Sequence, residues 1–129
     1  MSELDDDPMP SGELSLQTLA MPKDTNPHGD IFGGWLVSQM DIAASVAAGR
    51  IAKGRVVTVA INNMSFLVPV KVGSVISCYT EVESVGRSSI QVLVEVWASS
   101  NLDAGKHKVT EGLFVFVAID QNYRTKAIN

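Results

Sequence analysis

One carboxylate stands alone in a long uncharged stretch of the chain. From Ile31 to Gly49 every side chain is apolar, small or neutral, except that of Asp41. A carboxylate that is removed from water without a partner costs folding free energy. Asp41 is therefore expected either to accept hydrogen bonds across a subunit interface, from a side chain such as Ser38, Thr58 or Asn62, or to have a chemical task.

The chain contains few cysteine and histidine residues, the types that often act as nucleophiles, bases or metal ligands. Cys78 has no histidine near it in the sequence and is interpreted as a small core residue in a strand. His28 and His107 are interpreted as solvated loop residues. Two distant histidines and one cysteine are too few for a metal centre, so no metal is expected.

The hydrophobic fraction and net charge indicate what kind of protein this is. The 129 residues are 46% hydrophobic and carry a net charge of -4, which predicts one globular domain and argues against nucleic acid as the main partner. The start of the chain is acidic and has no apolar run, so no signal peptide is expected, and the uncharged stretch is too polar for a membrane span. We therefore predict a soluble, cytoplasmic protein with a mobile tail over residues 1–12 and a single domain over 13–129.

The secondary-structure elements that must position Asp41 are predicted from the hydrophobic pattern of the sequence. Residues 13–22 alternate like a first strand that ends at Pro22, and the stretch from about Gly33 to Lys53 is alanine-rich and free of proline, which predicts a helix. After Gly54 come four runs of β-branched residues separated by turn residues, which predict a meander of four strands. In the third run Ile90, Val92, Val94 and Val96 alternate with other residues, which predicts a strand with one apolar face. The predicted fold class is α+β, with a curved antiparallel five-stranded sheet wrapped around one long helix.

The helix has no polar face before Arg50. A single sheet covers only one side of a helix, and the remainder would leave a large apolar patch in water. Small residues such as Ser38, Ala44 and Ala48 would let another subunit approach closely. The sequence thus predicts a homo-oligomer.

Three segments resemble the YciA-type acyl-CoA thioesterases of the hotdog-fold superfamily. They are LAMPKDTNPHGDIFGGWLVSQMD, GRVVTVAINNMSFLVPVKVG and VGRSSIQVLVEVW, and the similarity extends over residues 17–120. The resemblance implies a hotdog fold that hydrolyses acyl-CoA to free acid and coenzyme A without a metal or organic cofactor. It also implies active sites between paired subunits, with three dimers forming a hexamer. Many relatives have His-Gly-Gly at the helix start, where this chain has Phe32 before its two glycines.

The resemblance implies roles for the helix residues. Asp41 would act either as the general base for water or as the nucleophile that forms an acyl-enzyme anhydride. Backbone N–H groups at Gly33 and Gly34 suit a developing oxyanion. Because Asp41 lies about 10 Å from Gly34 along the helix, an antiparallel helix from a second subunit would bring the two groups together.

Further candidates lie on loops and strands. Asn26 and Asp30 precede the helix, where they either make an Asx turn or a helix cap, or else Asp30 positions the thioester or water. Thr58 either faces the active site, as the resemblance implies, or simply favours a strand. Arg87, Ser88 and Ser89 follow Gly86 at a turn and suit the phosphates of coenzyme A, although a solvated hairpin arginine is the alternative.

Two other functions remain open from the sequence. A non-catalytic acyl-CoA sensor would bind coenzyme A without turnover, but it has no need of a carboxylate near the thioester. A hotdog hydratase or dehydratase usually uses a histidine beside the helix acid, and this helix has none.

Overall fold

One long helix and five strands form the protein in this computed structural model, which describes residues 9–100 and 105–128. The elements in chain order are β1 (Glu13–Leu19), a short 3-10 helix (Pro22–Asp24), α1 (Gly33–Ala52), β2 (Val56–Phe66), β3 (Val75–Val85), β4 (Ser89–Ser99) and β5 (His107–Ala118). Helix α1 contacts all five strands. The predicted α+β class, with one helix against a five-stranded antiparallel sheet, is confirmed. No helix in this part of the chain has the length and apolar character that crossing a bilayer requires.

Helix α1 ends with a residue in the left-handed conformation. Its last residue is Ala52, and Lys53 adopts a left-handed φ of 55° while its N–H donates to the carbonyl of Gly49 at 2.8 Å. A left-handed residue of this kind closes the final turn. The predicted helix from Gly33 to Lys53 is therefore confirmed, with Lys53 as its cap.

The order of the strands corrects one prediction. The order across the sheet is β1-β3-β4-β5-β2, so β3, β4 and β5 form a meander of three strands. The predicted four-strand meander was wrong because β2 does not pair with the strand that follows it. It crosses to the far edge of the sheet and pairs with β5.

Irregular pairing in β2 sets which of its side chains face the helix. The register shifts between Thr58 and Ala60 and again between Asn62 and Ser65. An extra residue in one strand reverses the alternation of its side chains. As a result Thr58 pairs with Phe116 and Ile61 pairs with Phe114, two strand residues that are completely buried.

The core lies between α1 and the sheet. The alternating valines of β4 are fully buried, as the period-two pattern predicts, and so is Cys78. Burial raises the pKa of the Cys78 thiol to about 12, so the thiol stays protonated at neutral pH. The interpretation of Cys78 as a core residue is confirmed. His107 is exposed as predicted, but it is the first residue of β5 rather than part of a loop.

The opposite face of β4 is also covered. Trp97 and Glu95 are buried there, and the indole Nε1 donates to Glu95 Oε1 at 2.9 Å. The backbone N–H of Ser11 donates to the same carboxylate at 3.1 Å. Within the predicted mobile tail, Ser11 is thus attached to the sheet, whereas residues 1–8 lie outside the described residues.

One stripe of α1 remains uncovered in the single chain. Its exposed residues recur every four positions, namely Gly34, Ser38, Ile42, Val46 and Arg50. Ile42 is 51% exposed and Val46 is 43% exposed. On the neighbouring edge strand β2, Val59 and Phe66 are similarly exposed at 55% and 52%. This helix stripe and the β2 edge thus both carry large apolar side chains that are exposed in the single subunit.

Candidate active site

The Asp41 carboxylate is held by a hydroxyl group from a neighbouring strand. Thr58 Oγ1 donates to Asp41 Oδ1 at 2.6 Å, which is the short distance typical of a hydroxyl bonded to a charged acceptor. The Asp41 side chain is partly exposed rather than fully buried. Thr58 is therefore a partner of Asp41 as predicted, but within the same subunit rather than across an interface, whereas Ser38 donates to the carbonyl of Trp35.

The second carboxylate oxygen of Asp41 is open. Within residues 9–100 and 105–128, no hydrogen bond to Oδ2 is found, and no buried polar side-chain atom lacks a partner. Oδ2 is therefore accessible to solvent. A carboxylate fixed through one oxygen and open at the other suits either proton abstraction from water or direct attack on a carbonyl carbon.

The start of α1 offers free backbone donors. Phe32 is the cap residue and provides no side-chain hydrogen bond, while its carbonyl accepts from Trp35 and Leu36. Among the described residues, the N–H groups of Gly33 and Gly34 have no acceptor. Unpaired N–H groups in the first turn of a helix attract negative charge. A side chain at Gly34 would meet no atom of the same subunit within 4 Å, so the space beside it is open.

Asn26 shapes the loop that leads into the helix. Its Oδ1 accepts from the backbone N–H of His28 at 2.9 Å and from that of Asp30 at 3.1 Å. The interpretation of Asn26 as a turn-forming residue is supported by these bonds. Asp30 is not the helix cap, because Phe32 occupies that position; its carboxylate instead forms an ion pair with Lys71 at 2.8 Å.

A cleft of about 350 Å³ opens at the helix start. Asn26, Asp30 and Gly33 line it on one side, and the apolar segment from Phe66 to Val70 lines it on the other. The Phe66 ring lies 3.4 Å from the position that a Cβ would occupy at Gly33. The structure therefore brings together three of the predicted site residues around one cavity.

Arg87, Ser88 and Ser89 lie at the other end of the molecule. Arg87 and Ser88 lie in the β3–β4 turn and Ser89 begins β4; Gly86 N–H donates to Ser89 O across the turn at 2.8 Å. A Cβ at Gly86 would lie 2.7 Å from Ser89 Oγ, so a side chain there would require the Ser89 hydroxyl to move. Arg87 is exposed, and its carbonyl accepts from the N–H of Ile128 near the C-terminus.

Within one subunit the candidate residues thus form three groups rather than one. The groups are the helix-start cleft, the Asp41–Thr58 pair in the middle of α1, and the Arg87 turn beyond the helix end. Sequence reasoning missed Phe66, which lines the cleft from the end of β2, and Lys71, which forms an ion pair with Asp30 from the segment after β2. Their only signal was the run of exposed apolar residues that continues past the end of that strand.

Comparison with known proteins gives consistent matches. Residues 28–104 match the family described as the thioesterase superfamily. A Salmonella typhimurium protein described as acyl-CoA thioester hydrolase YciA is 49% identical over 125 residues, covering 95% of this chain and 94% of that protein.

Solved structures are similar over nearly the whole subunit. The hexameric thioesterase y2039 from Yersinia pestis has a TM-score of 0.90 at 48% identity, covering 94% of this chain and 98% of its own. HI0827, a hexameric broad specificity acyl-coenzyme A thioesterase, has a TM-score of 0.89 at 48% identity, covering 96% of this chain and 86% of its own. A mutant form of HI0827, with one aspartate replaced by alanine, has also been solved.

Proposed function

This chain belongs to the YciA-type acyl-CoA thioester hydrolases of the thioesterase superfamily, and we propose that Asp41 activates the attack on the thioester carbonyl. The observation that carries this proposal is the Asp41–Thr58 hydrogen bond of 2.6 Å on an otherwise uncharged stretch of helix. One carboxylate oxygen is oriented by the hydroxyl, and the other faces open space. A related hexameric thioesterase has been solved with one of its aspartates replaced by alanine. The choice of an aspartate for that substitution is consistent with a catalytic carboxylate.

The reaction also requires a group that stabilises the developing oxyanion. The free N–H groups of Gly33 and Gly34 supply this polarity at the helix start. Along one helix, Gly34 lies about 10 Å from Asp41, which is too far for both groups to reach the same carbonyl carbon and oxygen. A second helix running antiparallel would place its Gly34 beside this Asp41, so each site would use residues from two subunits.

The exposed apolar surface supports such a pairing. The helix stripe and the β2 edge are adjacent, and an unpaired edge strand has free backbone groups that bond to another strand. A second copy placed on a two-fold axis would cover both features at once. We therefore propose a dimer as the unit of activity, assembled further as in the hexameric relatives.

Asp30 is proposed to act through the loop rather than at the reacting carbon. Its ion pair with Lys71 connects the loop before α1 to the segment after β2, and both segments line the cleft. Asn26 fixes the same loop through its two backbone hydrogen bonds. Together these residues would hold the cleft open beside the Gly33 and Gly34 donors.

The direct test is release of thiol from a panel of acyl-CoA substrates of increasing chain length. We expect the purified protein to hydrolyse members of the panel, with coenzyme A and free acid formed in equal amounts. The buried Cys78 will not react with the thiol reagent while the protein is folded. Tight binding of acyl-CoA without any turnover would instead favour the sensor function, and hydration of an enoyl-CoA would favour the dehydratase function.

Arg87 provides a separate prediction about binding. If Arg87 contacts a phosphate of coenzyme A, Arg87→Ala should raise KM for acyl-CoA by about tenfold, because a charge-assisted hydrogen bond is lost. The value of kcat should change little, and the KM of an acyl-pantetheine, which has no nucleotide, should stay the same. Lys23→Ala, at the opposite end of the subunit, is the control. Equal effects of Arg87→Ala on both substrates would show that Arg87 does not contact a phosphate.

A further inference from the structure

Asp24 is a buried acid that the proposed reaction does not use. It ends the 3-10 helix between β1 and α1, and its side chain is only 8% exposed, whereas that of its neighbour Lys23 is 78% exposed. The carboxylate accepts from the N–H of Met21 at 3.2 Å and from Lys23 Nζ at 3.3 Å. Both distances are long for bonds to a charged acceptor, so they offset little of the cost of burying a carboxylate. A role in stability alone therefore does not account for an acid at this position.

The backbone of Asp24 is bonded to the residue that begins α1. Its carbonyl oxygen accepts from the N–H of Phe32, the cap residue of the helix, at 3.0 Å. Its own N–H donates to Met21 O at 2.9 Å, so the carboxylate and the N–H of Asp24 both bond to the backbone of Met21. The orientation of the Asp24 carbonyl, and with it the position of Phe32, is thus fixed by a side chain that is enclosed in the protein.

The segment before Asp24 is attached to the sheet. Ala20, which is 1% exposed, donates its N–H to Ser74 O at 2.9 Å and accepts from the N–H of Gly73 at 2.8 Å. Ser74 directly precedes β3. The chain from Ala20 to Asp24 therefore connects the start of β3 with the cap of α1 through fixed backbone contacts at both of its ends.

The residues after this cap are the ones whose geometry matters for the reaction. Phe32 is followed by Gly33 and Gly34, whose free N–H groups are the proposed oxyanion donors. Phe32 has no side-chain capping bond, and glycine places few limits on its own backbone angles. The direction of the two N–H groups therefore depends on what holds the Phe32 backbone. Such donors must lie within about 3 Å of the developing oxyanion, and a displacement of about 1 Å can lower a rate about a hundredfold.

We propose that Asp24 is a positioning residue for the oxyanion donors, which acts through the Phe32 backbone and contacts neither the substrate nor the reacting atoms. This inference rests on the proposed thioesterase function and extends it to a residue outside the three groups of candidate residues. The carboxylate acts as a hydrogen-bond acceptor and not through its charge, because an ion pair with an exposed lysine such as Lys23 contributes little energy. Loss of the acceptor should lower kcat rather than raise KM, since the oxyanion exists only in the transition state.

The test compares Asp24→Ala and Asp24→Leu with the unchanged protein. Both remove the acceptor for the Met21 N–H, and the leucine variant keeps a side chain of similar shape in the buried position, so that folding is preserved. We expect each variant to lower kcat for a short acyl-CoA by about tenfold or more, with KM within about twofold. Asp24→Asn, which keeps the acceptor, should retain kcat within about threefold, and Lys23→Ala should leave it unchanged.

Glu95→Ala is the matched control, because Glu95 is the other buried acid among the described residues. Its carboxylate accepts from Trp97 Nε1 and from the N–H of Ser11, on the face of the sheet away from α1. This variant should lower the thermal unfolding temperature and yet leave kcat within about twofold. Equal losses of kcat in Glu95→Ala and Asp24→Ala would assign the effect to general stability and overturn the inference. A loss carried entirely by KM would overturn it as well, because it would place Asp24 in substrate binding.

The amide signals of glycine in nuclear magnetic resonance provide a readout that does not depend on turnover. The chain has ten glycines, so labelling with ¹⁵N at glycine alone gives a simple spectrum, in which Gly33→Ala and Gly34→Ala identify the two signals of interest. We expect both signals to move in Asp24→Ala and Asp24→Leu and to stay in place in Glu95→Ala. If the unchanged protein hydrolyses no thioester, the proposed function fails, while these spectra still decide whether Asp24 orients the two N–H groups. Unmoved signals, or an unchanged kcat in the folded Asp24 variants, would overturn the inference.

Discussion

Replacing Asp41 with asparagine is expected to lower kcat for acyl-CoA hydrolysis by about a hundredfold or more, or roughly 3 kcal/mol in activation free energy. Asparagine keeps the size of the side chain and can still accept the hydrogen bond from Thr58. It can neither take a proton from water nor attack a carbonyl carbon. Steady-state kinetics on the best substrate of the acyl-CoA panel, together with a titration of coenzyme A, measure both parts of this prediction.

The matched control for Asp41→Asn is Glu83→Gln, which neutralises an exposed acid on β3. It should leave kcat within about twofold of the unchanged protein, as expected for surface substitutions. Coenzyme A binding should survive in both variants. An Asp41→Asn protein that is folded and nearly as active as the unchanged one would rule out a catalytic role for Asp41.

Mixing two inactive variants should restore activity if each site uses two subunits. Gly34→Pro removes one backbone N–H, and proline is tolerated in the first turn of a helix, so the helix should still form. Gly34→Pro and Asp41→Asn chains should each be inactive alone. When they are co-expressed, random pairing should restore about a quarter of the activity, because half of the pairs are mixed and each has one intact site.

A control variant and two contradicting outcomes decide how the mixing experiment is interpreted. Gly34→Ala keeps the N–H and meets no neighbouring atom in the subunit, so it should lose far less activity than Gly34→Pro. No recovery in co-expressed chains that demonstrably form mixed oligomers would place Asp41 and Gly34 of one chain in the same site. A fully active monomer in sedimentation velocity would equally contradict the shared site.

Local pattern was enough to locate the elements that carry the candidate residues. The alanine-rich stretch predicted α1 to within one residue, and alternation predicted that the valines of β4 would face the core. These predictions succeed because helix and strand periods depend on neighbouring residues in the chain. The same periods say nothing about which strands pair, so the four-strand meander was wrong and β2 lies at the far edge of the sheet.

The grouping of the candidate residues depended on contacts between distant segments. The register shift after Thr58 keeps both Thr58 and Ile61 on the side of the sheet that faces α1, which simple alternation forbids. The ion pair of Asp30 with Lys71 joins residues that are 41 positions apart. Likewise, the segment after β5 folds back onto the start of β2, where Ile119 N–H donates to Arg55 O at 3.1 Å.

By itself the sequence determined the fold class, the helix that bears Asp41, the glycine pair at its start and the resemblance to a thioesterase family. The helix and its glycine pair follow from residue types at short spacing, the fold class from the order of the elements, and the resemblance from the three segments that carry it. Only the tertiary structure decided that Thr58 orients Asp41, that the helix-start cleft and the Arg87 turn lie at opposite ends of the subunit, and that β2 is an exposed edge. Strand order, register and long-range pairing depend on the packing of the whole chain, because every partner competes for the same buried positions.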